Sequence, residues 1–251
     1  MKSFRLRMFC LHLLVSAALV GTAIGAIVYA WYPPPFAQLE GIFSILAIMA
    51  FVDVCAGPLC TLVAASAGKT RGHLARDLAV IAFVQVCALG YAVYTTWIAR
   101  PVFVVYSTGM FEVEHANEIS SDELLKVADT RFRSLPLVGP VFVEARFPED
   151  AQTTMKIVNS AINGGPDIKD MPQYFTTWPF HGTDAREKAK AVASLPEHKP
   201  LRDKVEELLR AHQVAESDAL VLPINGKIDR GTVVVRRSDL AVLGIVPFLS
   251  P

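Results

Sequence analysis

Read for hydrophobic and polar positions, the chain changes character near residue 100. Before that point lie three long apolar runs. Residues 8–31 are interrupted only by His12, Ser16 and Thr22, a second run covers about 41–67, and a third about 77–99. A helix rises about 1.5 Å per residue and a bilayer's hydrocarbon core is about 30 Å thick, so each run is long enough to cross it. The pattern predicts three transmembrane helices, followed by something different. Residues 102–106 and 110–114 read as two strands joined by a turn at 107–109, the second strand alternating. Ser120 and Glu123 form a capping-box pattern that opens a helix through about Phe132. A strand at 141–146 precedes a helix begun by Pro148 with Met155, Val158 and Ile162 on one side, stopped at Gly164-Gly165-Pro166. A charged helix at 184–194 and an amphipathic one at 201–212 follow, the latter with Leu201, Val205, Leu208 and Leu209 inward. Three short strands, 220–224, 232–236 and 241–246, close the chain. The expected architecture is an α-helical membrane domain of residues 1–100 and a small α+β domain of residues 101–251.

Charge sharpens the division. Of 24 Lys/Arg and 24 Asp/Glu, only 7 and 3 lie in the first hundred residues, and mean hydropathy is +0.37. A formal net charge of +0 argues against nucleic acid as a partner, because phosphate binding requires a basic surface. Lys2, Arg5 and Arg7 precede the first run and Lys69, Arg71 and Arg76 lie between the second and third, whereas residues 32–40 contain no Lys or Arg. The positive-inside rule therefore puts the N-terminus in the cytoplasm and the α+β domain outside. Tyr29, Trp31, Tyr32, Tyr94 and Trp97 form the corresponding outer aromatic belt. An alternative reading makes the first run a signal peptide cleaved after Val28-Tyr29-Ala30, although the run is longer than a usual signal core.

Asp53 is the one acidic residue deep inside an apolar run, where a carboxylate costs several kcal/mol and is normally sheltered by protein. Gly57-Pro58 follows at once, and Pro58 has no N–H for the preceding turn, so a kink is expected there. By helical rise Thr22 and Tyr91 lie level with Asp53 and are its expected hydrogen-bond partners; Gln85 and His12 lie nearer the cytoplasm. Ala17, Gly21 and Gly25 recur every four residues, a small-residue face for close helix packing. Two readings of Asp53 stay open: glue within its own bundle, or contact with a partner's membrane helix.

Chemical signatures are scarce. The chain has no H-E-x-x-H or G-x-S-x-G, and all four cysteines, Cys10, Cys55, Cys60 and Cys87, lie in the apolar part at spacings that suit small core residues rather than zinc. Ala67-Gly68-Lys69-Thr70 has the tail of a phosphate-binding loop but Val63 where its first glycine belongs. His115 beside Glu112, Glu114 and Glu118 reads as a solvated charged face, since strand alternation puts Glu112 and Glu114 opposite His115. Residues 171–180 are irregular and rich in aromatics; Gln173, Tyr174, Phe175 and Trp178 either cover the domain's own core or offer an outer partner surface. No catalytic residue, cofactor or metal is expected.

Several residues together resemble a known family. Trp31-Tyr32-Pro33, Val52-Asp53 with Gly57-Pro58-Leu59 and Thr61-Leu62, Arg76 to Ile81 with Gln85, and Arg100-Pro101-Val102 look like the TfpX/TfpZ family of type IV pilin accessory proteins. Leu135-Pro136 with Gly139-Pro140, Pro172-Gln173-Tyr174 and Val242 to Val246 extend the resemblance over nearly the whole chain. It implies a bacterial inner-membrane, non-enzymatic, chaperone-like protein that binds type IV pilin through both its membrane helix and its periplasmic head, Asp53 meeting the pilin helix or its amino terminus. A membrane-anchored periplasmic ligand-binding sensor subunit is the alternative, opposed by the absence of an output domain; an outer-face enzyme is a weaker third.

Overall fold

The computed structural model describes residues 2–65, 69–180, 183–196 and 199–248. The chain forms two compact units: Met1–Ala30 with Ile42–Ile98, and Trp31–Gly41 with Ala99–Pro251.

The first unit is helical. Helix α1 (Lys2–Ala26) runs on through a wide π-type turn at Ile27–Trp31. After a short α2 (Phe36–Leu39) in the second unit, the chain returns as α3 (Phe43–Ala50), a π-type segment Phe51–Ala56, and α4 (Gly57–Ala64), which together make one continuous rod. The third long helix is α5 (Arg71–Ile98). Phe4–Trp31, Phe43–Ala64 and Arg71–Ile98 are each long and apolar enough to cross a membrane. Leu14, Ile48, Val63 and Phe83 are all more than half exposed, and such apolar surfaces suit lipid rather than water. The expected end of the second run at Ala67 lies outside the described residues, as do the Ala67 and Gly68 of the loop-like tetrapeptide.

The second unit is a mixed sheet with helices on it. Its strands are β1 (Pro101–Ser107), β2 (Met110–His115), β3 (Val141–Ala145), β4 (Phe175–Thr177), β5 (Lys190–Ala191), β6 (Ala219–Asn225), β7 (Arg230–Arg236) and β8 (Val242–Pro247). Their order is β4-β3-β1-β2-β6-β7-β8, with β5 paired to β6. β1 pairs in parallel with β3 and β2 in parallel with β6, while the β1–β2, β6–β7 and β7–β8 neighbours are antiparallel. Alternation along the strands fills both faces. Val104, Tyr106, Phe111, Leu222 and Val233 pack on one; Phe103, Val105 and Val143, together with Val221 and Val234 further along the sheet, pack on the other. Helix α9 (Lys199–Ala211) lays Leu201, Val205 and Leu209 onto the second face, the stripe its periodicity predicts.

The segment joining the first two long helices belongs to this unit. Phe36 and Leu39 of α2 enter the core beside Phe111 and Ile224. The Leu39 carbonyl accepts from the backbone N–H groups of Ile228 (3.1 Å) and Asp229 (3.2 Å), and the Tyr32 hydroxyl donates to the Ala99 carbonyl at 2.8 Å. A Cβ on Gly226 would lie 2.7 Å from the Leu39 carbonyl oxygen, so glycine is needed where the two backbones meet.

Three helices differ from expectation. Helix α6 (Ser121–Leu125) is properly capped, the Glu123 N–H donating to Ser120 Oγ, but stops well short of Phe132. Asp129 there accepts from the Arg131 N–H at 3.0 Å, a local bond that competes with helix, and Val127 and Phe132 both turn into the core. Helix α7 (Ala151–Ile162) buries Ile157 and leaves Met155 and Ile162 mostly exposed; Asp150 caps its first turn and Thr154 donates to the Pro148 carbonyl, turning a different stripe inward. Helix α8 (Thr183–Lys188) ends early because Lys190 and Ala191 join the sheet as β5.

Phe103 is 1% exposed and meets Phe175 and Phe132 edge to face at 5.2 and 6.4 Å. Phe103→Ala should cost about 3–5 kcal/mol, read as a fall in urea midpoint by pulse proteolysis of the detergent-solubilised chain.

Candidate functional site

Two polar clusters stand out, one in each unit. In the helical unit everything turns on Pro58. Across Phe51–Ala56 the backbone bonds step from the usual four-residue to a five-residue spacing, so the Gly57 N–H donates to the Val52 carbonyl. On the same spacing the Asp53 carbonyl would take its donor from residue 58, which is proline and has none. Gln85 of α5 supplies it: its Nε2 donates to the Asp53 carbonyl at 2.9 Å. A Cβ on Gly57 would overlap that nitrogen, so glycine is what admits the amide. The expected kink is thus a widened turn, with the freed carbonyl satisfied from a neighbouring helix.

The Asp53 side chain is treated differently. The residue is 3% exposed and neither carboxylate oxygen has a hydrogen-bond partner among the described residues. It lines two clefts. One runs beside Ser16, Leu19 and Val20 of α1 and Ala82, Val86 and Leu89 of α5. The other, of about 390 Å³, lies between Ile45, Ile48, Met49 and Val52 on one side and Ala88, Tyr91, Ala92 and Thr95 on the other.

The expected partners are therefore corrected. Thr22 is exposed and its hydroxyl donates to Ala18 of its own helix at 2.8 Å, as an unengaged threonine does in an apolar helix. Tyr91 lines the second cleft, but no hydrogen bond joins it to Asp53, and it is 71% exposed. Gln85, judged too deep from helical rise alone, is the residue that reaches, because a glutamine side chain spans most of a turn. His12 sits deeper still, its Nδ1 2.6 Å from the buried Thr61 hydroxyl. Ala17, Gly21 and Gly25 do not pack within the chain: all three are exposed and nothing lies within 4 Å of a Cβ built on either glycine. α1 buries Ser16 and Val20 instead, and the π-type turn that continues it buries Ile27.

In the second unit the supposed solvated face is buried. His115 is 6% exposed and its two ring nitrogens each lie 2.6 Å from a carboxylate, Nε2 from Glu40 and Nδ1 from Glu118. Lys227 completes the group, donating to Glu118 at 2.9 Å. With an acceptor at each nitrogen the ring is an imidazolium donating both ways. Burial works against that charge, but Glu118 and Glu40 outweigh it and raise His115 to about 9. The His115 bond in turn holds Glu118 down at about 2. On the opposite face of β2, Glu114 is fully buried with Lys169 donating to it at 2.7 Å. Burial pushes Glu114 up to about 9 and adjacent Asp170 adds to this, while the Lys169 ammonium pulls the other way. Lys169 keeps its proton: burial opposes the charge, but Glu114, Glu112 and Asp170 all lie within 3.9 Å. Glu112 and Glu114 do lie opposite His115, as alternation requires, but neither face is left to solvent: Glu114 and His115 are both buried. Glu40 gave no signal beyond its place in an unusually apolar loop.

The aromatic stretch serves the core. Phe175 is buried beside Phe103, and Trp178 packs on Tyr106 and Phe111 at 4.9 and 4.8 Å while its Nε1 donates to the Leu240 carbonyl. Tyr174 packs against the same core as Phe175, and Gln173 donates to Glu123 at 2.6 Å. Among the described residues no group of His, Cys, Asp and Glu is arranged to hold a metal ion.

Comparison with known proteins finds relatives. The chain is 29% identical over 220 residues to the fimbrial assembly protein, serogroup I, of Dichelobacter nodosus, covering 85% of this chain and 83% of that protein. It is 29% identical over 185 residues to the serogroup E1 protein of the same organism, covering 74% and 70%. With the fimbrial assembly protein of serogroups C1 and C2 it shares 32% identity over 114 residues, which is 45% of this chain and 87% of that protein. No protein-family model and no solved structure matches.

Two measurements follow from the geometry. Gly57→Ala should destabilise the chain by about 1–3 kcal/mol by expelling Gln85 from the Asp53 carbonyl, and in a Gln85→Ala background most of that cost should vanish, a coupling visible in detergent melting curves. For His115, a folded value above the ordinary 6.5 means stability that is fully present below pH 6.5 and lost as pH rises through about 9. Glu118 acts in the opposite sense, present above about 4.5 and lost as pH falls through about 2. Wild type should therefore exceed His115→Gln by on the order of 2–3 kcal/mol near pH 6, the gap closing by pH 10 in denaturation series.

Proposed function

The chain belongs to the family of fimbrial assembly proteins, and from that premise we propose that it is a bacterial inner-membrane accessory factor that binds the type IV pilin and assists its stability, assembly or surface display. The observation that carries this reading is the relatedness over 85% of the chain, a stretch too long to lie within either the helical or the α+β unit alone. In this reading the three long helices form the membrane domain, with the N-terminus cytoplasmic, and the second unit, Trp31–Gly41 with Ala99–Pro251 rather than residues 101–251 alone, is the periplasmic one. The Lys/Arg of the first flank and of residues 69–76 support that orientation, and the arginine- and lysine-free segment before α3 supports its opposite placement.

The role is one of binding rather than catalysis. A pilin subunit awaiting assembly consists of an apolar helix in the bilayer and a head outside it, and this chain offers a surface of each kind. Two linked contacts raise affinity through effective concentration even where each is weak. Neither polar cluster has the form of a reaction centre: among the described residues neither Asp53 carboxylate oxygen has a hydrogen-bond partner, and His115 is clamped as a cation between two carboxylates and holds structure together.

Deletion of the gene should reduce surface pili at least tenfold, counted by electron microscopy of cells and restored by the wild-type gene in trans. Undiminished piliation in the deletion strain would sink the proposal.

A further inference from the structure

The cleft between the second and third long helices has the form of a seat for one more helix. Its walls repeat at helical spacing: Ile45, Ile48, Met49 and Val52 on one side, Ala88, Ala92 and Thr95 on the other, with small side chains at the floor on α5. From Ile45 to Val52 it is about two turns, or roughly 10 Å, long. At its inner end is Asp53, near the middle of Phe43–Ala64, 3% exposed and with both carboxylate oxygens unpartnered among the described residues. The same helix pair shows how such a deficit is met when the donor is internal, because Gln85 crosses to the Asp53 carbonyl. The Gln85 amide, spent on that carbonyl, lies beside the carboxylate too, but among the described residues no hydrogen bond of ordinary geometry reaches either carboxylate oxygen. The rest of the lining is apolar apart from Tyr91 and Thr95, neither of which bonds it, so a donor has to arrive on whatever enters the cleft.

We propose that this cleft binds the apolar membrane helix of a partner, and that Asp53 accepts a hydrogen bond from a hydroxyl, amide or ammonium group carried near the middle of that helix. Complementarity of charge and polarity selects the occupant. A wholly apolar helix, or lipid, would leave a buried carboxylate without a donor, at a cost of several kcal/mol in hydrocarbon; a helix with one donor removes that cost and is thereby distinguished from other membrane helices. That the partner is the fimbrial subunit rests on the function proposed above; the character of the seat does not. A second consequence concerns the free protein. A carboxylate kept for a partner is a liability until the partner arrives, so replacing it by an apolar side chain should stabilise the unliganded chain.

The test uses the full chain in the membranes of its own host. A photoreactive p-benzoylphenylalanine replaces Ile48, which lines the cleft, or Phe83, which is 70% exposed and does not. Illumination should give an adduct at position 48 at least tenfold stronger than at position 83, mapped by mass spectrometry to an apolar segment bearing a donor side chain. Asp53→Leu should cut that adduct at least tenfold and Asp53→Asn less, while purified Asp53→Leu protein melts at or above the wild-type temperature in detergent. Adducts to lipid alone, to a second copy of this chain, or of unchanged yield in Asp53→Leu would overturn the inference. So would failure of both Asp53 variants to accumulate, which would assign the carboxylate to the chain's own folding. An Asp53-dependent adduct to a protein other than the fimbrial subunit would keep the seat and remove the function proposed above; capture of the fimbrial subunit independent of Asp53 would do the reverse.

Discussion

A backbone carbonyl inside an apolar span has no water to turn to, and that constraint organises the helical unit. Pro58 removes the donor that the Asp53 carbonyl would have used, and the surrounding structure answers in three places. The turn widens over Phe51–Ala56, Gln85 reaches across from α5 to donate at 2.9 Å, and residue 57 is glycine because a Cβ there would occupy the position of the Gln85 amide. A widened turn, the glycine that follows it and a glutamine on another helix thus answer one missing N–H. The carboxylate of the same aspartate is left without any such provision, and the contrast between the two ends of one residue is the clearest functional signal the unit carries.

In the second unit the corresponding constraint is burial of ionisable groups. β2 is covered on both faces, so the ionisable residues at its end need partners, and each receives them: His115 from Glu40 and Glu118, Glu114, raised to about 9, from Lys169. Buried ion pairs of this kind seldom add much stability over apolar residues of similar size, but removing one member leaves an isolated charge. The His115 group also reaches between distant parts of the chain. Glu40 is 75 residues from His115, and Lys227 is 109 from Glu118.

Much of this was legible in the sequence wherever one periodicity operated alone. Three apolar runs became three long helices, α9 buried Leu201, Val205 and Leu209 as its spacing requires, and the closing strands fell where alternation placed them. What escaped depended on tertiary context. Side-chain reach, not helical rise, decides that Gln85 rather than Thr22 or Tyr91 serves Asp53, and it serves the carbonyl rather than the carboxylate. Asp129 and Thr154 each make a local bond that redirects a helix whose apolar pattern alone was ambiguous. His115 looked solvated because one strand cannot reveal that its sheet is covered on both sides. Ala17, Gly21 and Gly25 form the small-residue face that their spacing suggests, yet α1 turns its other side inward.

The segment Trp31–Gly41 carries a consequence for how the second unit can be handled. Because Phe36 and Leu39 are core residues and Glu40 faces His115, the smallest self-sufficient form of this unit is discontinuous in sequence. A fragment starting at residue 99 would open a hole beside Phe111 and Ile224 and leave His115 with one carboxylate fewer. Joining residues 31–41 to it through a flexible linker, or supplying them as a separate peptide, would restore the missing wall. The unit is in effect a complementation system whose small piece is the loop between two membrane-type helices, so its folding waits on both of them having been synthesised and on the chain having left the third.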